Sequence, residues 1–136
     1  MTADAQDASA PSQELVADVF ARACSSRAAF EVVTGKWASL VLLALVEGPH
    51  RFGELRRHVE GVSEKMLSQA LHSLEREGLV ARTDHGTVPP RVDYALTPLG
   101  ADIATRLRGV ADLLQGAVPD LDRSRAEYDS EGARVE

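Results

Sequence analysis

The sequence predicts a mainly α fold with one small antiparallel β-hairpin, arranged as a winged helix-turn-helix. Three observations lead there. Apolar residues recur at helical spacing through most of residues 13–119. Two of these stretches, 52–59 and 63–77, are separated only by Glu60-Gly61-Val62, and two helices joined by a short Gly-containing turn make a helix-turn-helix. Directly after Gly78 the period drops to two, in a pair of short runs around a loop, which sets a hairpin wing behind the second helix.

Taken in order, residues 1–12 are rich in Ala, Asp, Gln and Ser and read as a disordered leader. A helix is expected from Gln13 to about Cys24, with Leu15, Val16, Val19 and Phe20 on one side. Ser25-Ser26 interrupts or re-caps the chain, and Ala28, Ala29, Val32 and Val33 form a second short helix ending at Thr34-Gly35. Residues 36–47 are apolar almost all round, so this helix belongs at the centre of the domain, with Trp37 in the core. Gly48-Pro49 stops it. In 52–59, Phe52, Leu55 and Val59 face inward.

In the next helix, Leu67, Ala70, Leu71 and Leu74 fall at i, i+3, i+4 and i+7 as one apolar stripe. Ser63 stands before it as N-cap, and Gly78 follows it as a left-handed C′ residue. Strands 79–83 and 92–96 enclose a loop containing Gly86 and Pro89-Pro90. Thr97-Pro98 opens the last helix, Thr as N-cap and Pro at N1. Leu99, Ile103, Leu107, Val110, Leu113, Leu114 and Val118 carry its apolar side to about Pro119. Residues 120–136 are acidic, nearly lack apolar side chains, and are expected to be frayed or disordered.

The totals narrow the function classes. At 136 residues there is room for one domain with a real core. No apolar run reaches membrane-spanning length and the N-terminus has no basic-then-apolar export pattern, so the expected compartment is the cytoplasm. One cysteine excludes an internal disulfide framework and a Cys-based metal site, and the four histidines lack ligand spacing. Neither a metal nor a cofactor is expected. No nucleophile–base pair or Gly-rich phosphate loop is present, so an enzyme is not expected either. Net charge is −6, but it is unevenly spread. Residues 1–20 hold 4 acids and no Lys or Arg, residues 119–136 hold 6 acids against 3 Arg, and residues 21–118 hold 12 Lys and Arg against 11 acids. Any binding to nucleic acid must therefore rest on placed cations, with the acidic ends opposing indiscriminate attachment.

The face opposite the 63–77 stripe points to double-stranded DNA as partner. It carries Lys65, Ser68, Gln69, His72 and Ser73, with Met66 at its edge. Reading base edges in a major groove needs such donors, acceptors and methyl contacts. Lys65 suits guanine O6/N7 or a phosphate, Gln69 suits adenine N6/N7, and Met66 suits a thymine methyl. Ser63 and the open N–H groups of the first turn suit a phosphate. Ser68 and His72 are adaptable donors or acceptors. For any one of these residues an ordinary solvated helix face is the competing reading. Arg82 and Arg91 bracket the wing, with His85 and Thr87 at its tip, where an Arg could meet the backbone or the minor groove. Arg82 could instead pair with Asp84 or Asp93, whereas Pro89-Pro90 stiffens the loop that presents Arg91. Lys36 and Arg51, at helix starts, are phosphate candidates, while Arg56 and Arg57 read as a solvated face.

Several stretches resemble the HxlR family of winged-helix transcription regulators. They are Cys24 with Gly35-Lys36-Trp37 beyond it, Arg51-Phe52-Gly53-Glu54-Leu55, and Gly61-Val62-Ser63-Glu64-Lys65-Met66-Leu67. Leu74-Glu75-Arg76-Glu77-Gly78-Leu79-Val80, Val88-Pro89-Pro90-Arg91-Val92-Asp93-Tyr94 and Leu96-Thr97-Pro98-Leu99-Gly100 complete them, over about residues 20–115. The resemblance implies a homodimeric DNA-binding regulator whose first and last helices form the dimer. It departs from the family at Ser25, where relatives usually have proline, and at Leu113-Leu114-Gln115-Gly116, where they often have an aromatic.

The resemblance also implies a candidate thiol sensor at Cys24, since some relatives sense oxidants or electrophiles with a cysteine there. This needs a partly exposed thiolate in a positive environment or at a helix N-terminus. Arg22 and Arg27 are the candidates for that field, and Ser25-Ser26 for the helix start. The products open to one cysteine are an intersubunit disulfide, a mixed disulfide or an adduct; a structural cysteine is the competing reading. Phe20, Phe30, Leu107, Val110 and Leu114 are candidates to line an effector pocket between dimer helices, or else to form dimer core. A protein-interaction winged helix with no direct DNA role is the alternative that the near-neutral middle of the chain favours.

Overall fold

A computed structural model describes residues 17–135, as six helices and one two-stranded sheet. The leader expected over 1–12 and the start of the expected first helix lie outside the described residues. From Ala17 to Cys24 the chain forms turns and no helix. The Asp18 carboxylate accepts the Phe20 N–H at 2.9 Å, and the Ala21 and Cys24 amides bond three residues back. An Asp that bonds the backbone two residues on offers the chain a turn in place of a helix. Periodicity alone carried the expectation of a helix here, and that local bond overrides it.

Helix α1, Ser25–Val33, starts with Cys24 as its extended N-cap. Helix α2, Lys36–Leu45, follows across Thr34-Gly35 and buries Ala38, Val41, Leu42, Ala44 and Leu45. It is the central element, as its all-round apolar sequence requires. Trp37 is only half-buried, because it sits in the first turn of α2 and packs at the margin of the core.

Helix α3, Phe52–His58, seats Leu55 in the core, and the Glu54 carboxylate returns to accept the Arg51 N–H at 2.7 Å. After the turn at Gly61 (φ +90°), helix α4 runs Glu64–Arg76. The Ser63 hydroxyl accepts the Met66 N–H at 3.1 Å, and Leu67, Ala70, Leu71 and Leu74 are buried. Its C-terminus is closed by Gly78 at φ +77°, with Gly78 N–H on the Glu75 carbonyl and Leu79 N–H on the Leu74 carbonyl at 2.9 Å. That is a Schellman ending, and Leu79 is buried beside it. The Leu79 amide is thereby used up, so strand β1 is Val80–Asp84 rather than 79–83.

Strand β2, Val92–Leu96, pairs antiparallel with β1, Val80 opposite Leu96 and Asp84 opposite Val92. His50 extends the sheet by exchanging two backbone bonds with Tyr94, at 3.0 and 2.8 Å. Helix α5, Pro98–Gly116, is capped by Thr97, whose hydroxyl accepts the Gly100 N–H at 3.1 Å and donates to the Gly78 carbonyl at 2.7 Å. α5 breaks at Ala117, since Pro119 has no N–H to continue its ladder.

Helix α6, Val118–Val135, then occupies the stretch expected to be frayed. Arg123 meets Asp120 at 3.1 Å and Arg125 meets Asp122 at 4.0 Å, both one turn apart. Helices form from local bonds and such i,i+3 pairs without a buried face, so the lack of apolar residues argues against packing here and not against helix. No single helix among the described residues is long and apolar enough to cross a membrane.

Candidate nucleic-acid interface

Because Leu67, Leu71 and Leu74 point into the core, the helical period sends Lys65, Gln69, His72 and Arg76 outward from α4. All four are exposed. Met66 flanks them and is 47% exposed. Ser68 is half-buried, and the Ser63 oxygen is already engaged as a cap. Of the expected reading face, Lys65, Met66, Gln69 and His72 thus stand together. Arg76, four residues beyond His72, belongs to the same face and is absent from the sequence candidates; its nearest acid is Glu77, at 3.8 Å. The spacing 65, 69, 72, 76 contains it, but it reads along the chain as part of the helix stop.

Lys36 joins this face from α2. A groove of about 430 Å³ between α1, α2 and α4 is lined by Lys36, Trp37, Met66, Gln69 and Arg76 among others. The Lys36 ammonium lies 4.5 Å from the centroid of the Trp37 ring, and the Trp37 indole N–H donates to the Met66 sulfur at 3.0 Å. Trp37, expected in the core, therefore works partly at this surface. Arg51 is exposed at the start of α3. Arg56, expected to be merely solvated, bonds Glu64 at 3.0 Å and ties α3 to the first turn of α4.

Every residue of the wing from Ala81 to Arg91 is exposed. The Thr87 hydroxyl donates to the Pro89 carbonyl at 2.9 Å, and Gly86 takes φ +67° while its N–H bonds the Asp84 carboxylate. Of the two arginines, it is Arg91 and not Arg82 that meets Asp93. Asp93 pairs with His85 at 2.9 Å and with Arg91 at 3.4 Å, while Arg82 has no ion-pair partner among the described residues. The hydrogen bond from His85, more than the charge of Arg91, holds the Asp93 carboxyl below the usual carboxylate range. Arg91, presented by the Pro89-Pro90 loop, is thus already met by a carboxylate.

Cys24 is half-buried at the N-cap of α1. Its sulfur lies 3.1 Å from the Ser26 hydroxyl and accepts the Asp18 N–H at 3.4 Å. The Ser26 hydroxyl, then the backbone N–H groups of Asp18, Ser26 and Arg27, lower its pKa to about 7. The expected field of Arg22 and Arg27 is not the cause. Arg27 is paired with Glu31 at 2.7 Å and donates to the Phe20 carbonyl, so its charge is already met.

Of the pocket candidates, Phe30, Leu107 and Val110 share an apolar groove of about 460 Å³ between α1 and α5, with Val19, Val33 and Ile103. Phe20 and Leu114 do not line it. Phe20 is 85% exposed because the turns at Asp18 replace the helix that would have brought it inward. Leu114 lies a turn beyond the end of the groove.

A capped helix presented by a preceding helix and turn, with a two-stranded wing behind it, defines the winged helix-turn-helix class. This chain belongs to the HxlR-like helix-turn-helix family, which matches residues 32–120. The family and its named relatives are transcription regulators, not enzymes. The uncharacterized HTH-type transcriptional regulator YtfH of Escherichia coli (strain K12) is 44% identical over 104 residues, 76% of this chain and 82% of the relative. The solved structure of a transcriptional regulator, ytfH, from Salmonella typhimurium superposes with a TM-score of 0.75 at 42% identity, over 81% of this chain and 98% of that one. The redox regulator HypR in its reduced form superposes at 0.66 and 28% identity, over 71% and 96%.

Proposed function

We propose that this transcription regulator binds double-stranded DNA in a sequence-specific way as a homodimer, in the cytoplasm. The carrying observation is α4, whose buried stripe fixes Lys65, Gln69, His72 and Arg76 outward on one face. Residues 63–77 lie in the major groove, with the first turns at base edges. Gln69 and Lys65 read bases, Met66 meets a thymine methyl, and Ser68 and His72 assist. The N–H groups beside Ser63, with Lys36, Arg51 and Arg76, hold phosphates. The wing, about residues 82–92, runs along the backbone or minor groove with Arg82, Thr87 and Arg91. Dimerisation is supported by the apolar side chains left exposed on α1 and α5, namely Phe30, Val110, Leu113 and Leu114.

Two signals have a specific observation behind them. The lowered thiol pKa and N-cap position of Cys24 suit redox control, and the similar HypR is described as a redox regulator. The groove at Phe30, Leu107 and Val110 suits a small apolar effector.

Selection of bound fragments from genomic DNA, followed by salt-dependent gel shifts on the selected duplex, tests the reading. Gln69→Ala is expected to relax base preference at one position by roughly 1–3 kcal/mol, while Arg91→Ala weakens all sequences alike and flattens the salt slope. Uniform weakening by Gln69→Ala would remove that residue from base reading. No binding at low salt would leave a protein-interaction winged helix as the surviving alternative.

A further inference from the structure

The bond from the Trp37 indole to the Met66 sulfur joins residues 29 apart in the chain and ties the start of α2 to the first turn of α4. The ring is held on several sides. The Lys36 ammonium lies over it at 4.5 Å, a Cβ added at Gly61 would stand 3.8 Å from its far edge, and the ring packs against the core. Met66, by contrast, is 47% exposed and carries a flexible, unbranched thioether. A methionine at a surface samples many rotamers unless something holds its sulfur. An indole N–H can only donate, and a thioether sulfur is a weak acceptor, so this bond contributes more to direction than to strength.

We infer that Trp37 is a positioning residue for base reading, whose indole N–H holds the Met66 thioether so that its terminal methyl is presented outward beside Gln69. The inference rests on the reading that α4 contacts bases. It assigns Trp37 an action through Met66 and no contact of its own with DNA. A side chain ordered before the duplex arrives loses less freedom on binding, and it presents its methyl at one place rather than several.

Two measurements test it. Trp37 is the chain's single tryptophan, so its indole N–H gives one side-chain resonance in a nitrogen-15 spectrum. Met66→Leu keeps the apolar bulk and removes the acceptor. The resonance is expected to shift and its exchange with water to speed up; an unmoved resonance overturns the inference without reference to DNA. In the second measurement, thymines of the duplex selected by the unaltered protein are replaced one at a time by deoxyuridine, which removes only the methyl. The unaltered protein is expected to lose about fourfold in affinity at one position, the worth of one buried methyl-sized group. Trp37→Phe, which keeps a ring and lacks the N–H, is expected to lose that discrimination while it still unfolds cooperatively, at a somewhat lower melting temperature, and its affinity for random duplex stays the same. Methyl discrimination retained in Trp37→Phe, or absent from the unaltered protein at every thymine, overturns the inference and leaves sequence-specific binding standing. Absence of any selected duplex overturns both.

Discussion

At Cys24 the sulfur is polarised by hydrogen bonds and not by neighbouring charge. The Ser26 hydroxyl is the largest influence, and three backbone N–H groups follow it. Each favours the thiolate, which accepts and cannot donate. The reactive form is the thiolate, so reactivity grows as pH rises through the pKa. Alkylation by iodoacetamide should therefore reach half its limiting rate near pH 7, following the pKa of about 7. Ser26→Ala removes the leading hydrogen bond and should move that midpoint upward, toward the ordinary thiol value of about 8.5. With one cysteine in the chain the pH–rate profile is unambiguous. An unmoved midpoint would assign the activation elsewhere. The helix start behind Cys24 was legible from Ser25-Ser26. The source of activation was not, because Arg27 looks available in sequence and is spent on Glu31, four residues on.

Between elements, the tightest constraint is where α5 crosses the end of β1. A Cβ placed on Gly100 would overlap the Leu79 carbonyl oxygen, which already accepts the Thr97 N–H at 3.0 Å. The obstacle is backbone and cannot swing aside. Gly100→Ala should destabilise the domain by about 1–3 kcal/mol or more, since the helix must shift off a packed core. Chemical denaturation checks this, and a midpoint equal to that of the unaltered protein would contradict the close approach. The fold was legible at this scale wherever a local signal sets a boundary: Ser63 and Gly78 on α4, Thr97-Pro98 on α5, Gly61 in the turn. It was not legible where one local bond competes with periodicity, as at Asp18 against a helix over 13–24. Nor was it legible where partners are distant, as for His50 with Tyr94. Helix α6 shows a third limit. Scarcity of apolar residues reports the absence of a buried face, which is a different property from the absence of helix.

Across the whole molecule, the exposed face of α4 that carries Lys65 and Arg76 belongs to a chain of net charge −6. The acids that reverse the balance are concentrated toward the ends, and α6 gathers five of them in its described length: Asp120, Asp122, Glu127, Asp129 and Glu131. Asp120 and Asp122 are paired with arginines, whereas Glu127, Asp129 and Glu131 have no ion-pair partner among the described residues. Such charges repel phosphates at long range whatever the base sequence, and they add nothing to base reading. Their expected effect is to weaken attachment to random DNA and to a chosen site by about the same factor. The triple variant Glu127→Gln, Asp129→Asn and Glu131→Gln keeps the helix and removes three negative charges. At roughly 20 Å from a phosphate in water each charge is worth about 0.2 kcal/mol before screening. The three together then predict about threefold tighter binding of random duplex at low salt. The gain should fade as salt rises, because the screening length falls from about 10 Å at 0.1 M to about 3 Å at 1 M. Equilibrium binding of a random and a selected duplex across a salt series measures both effects. A gain that persists at high salt would mean that α6 touches the DNA or that the substitutions reshape the fold. No gain at any salt would mean that its charges face away from the bound duplex.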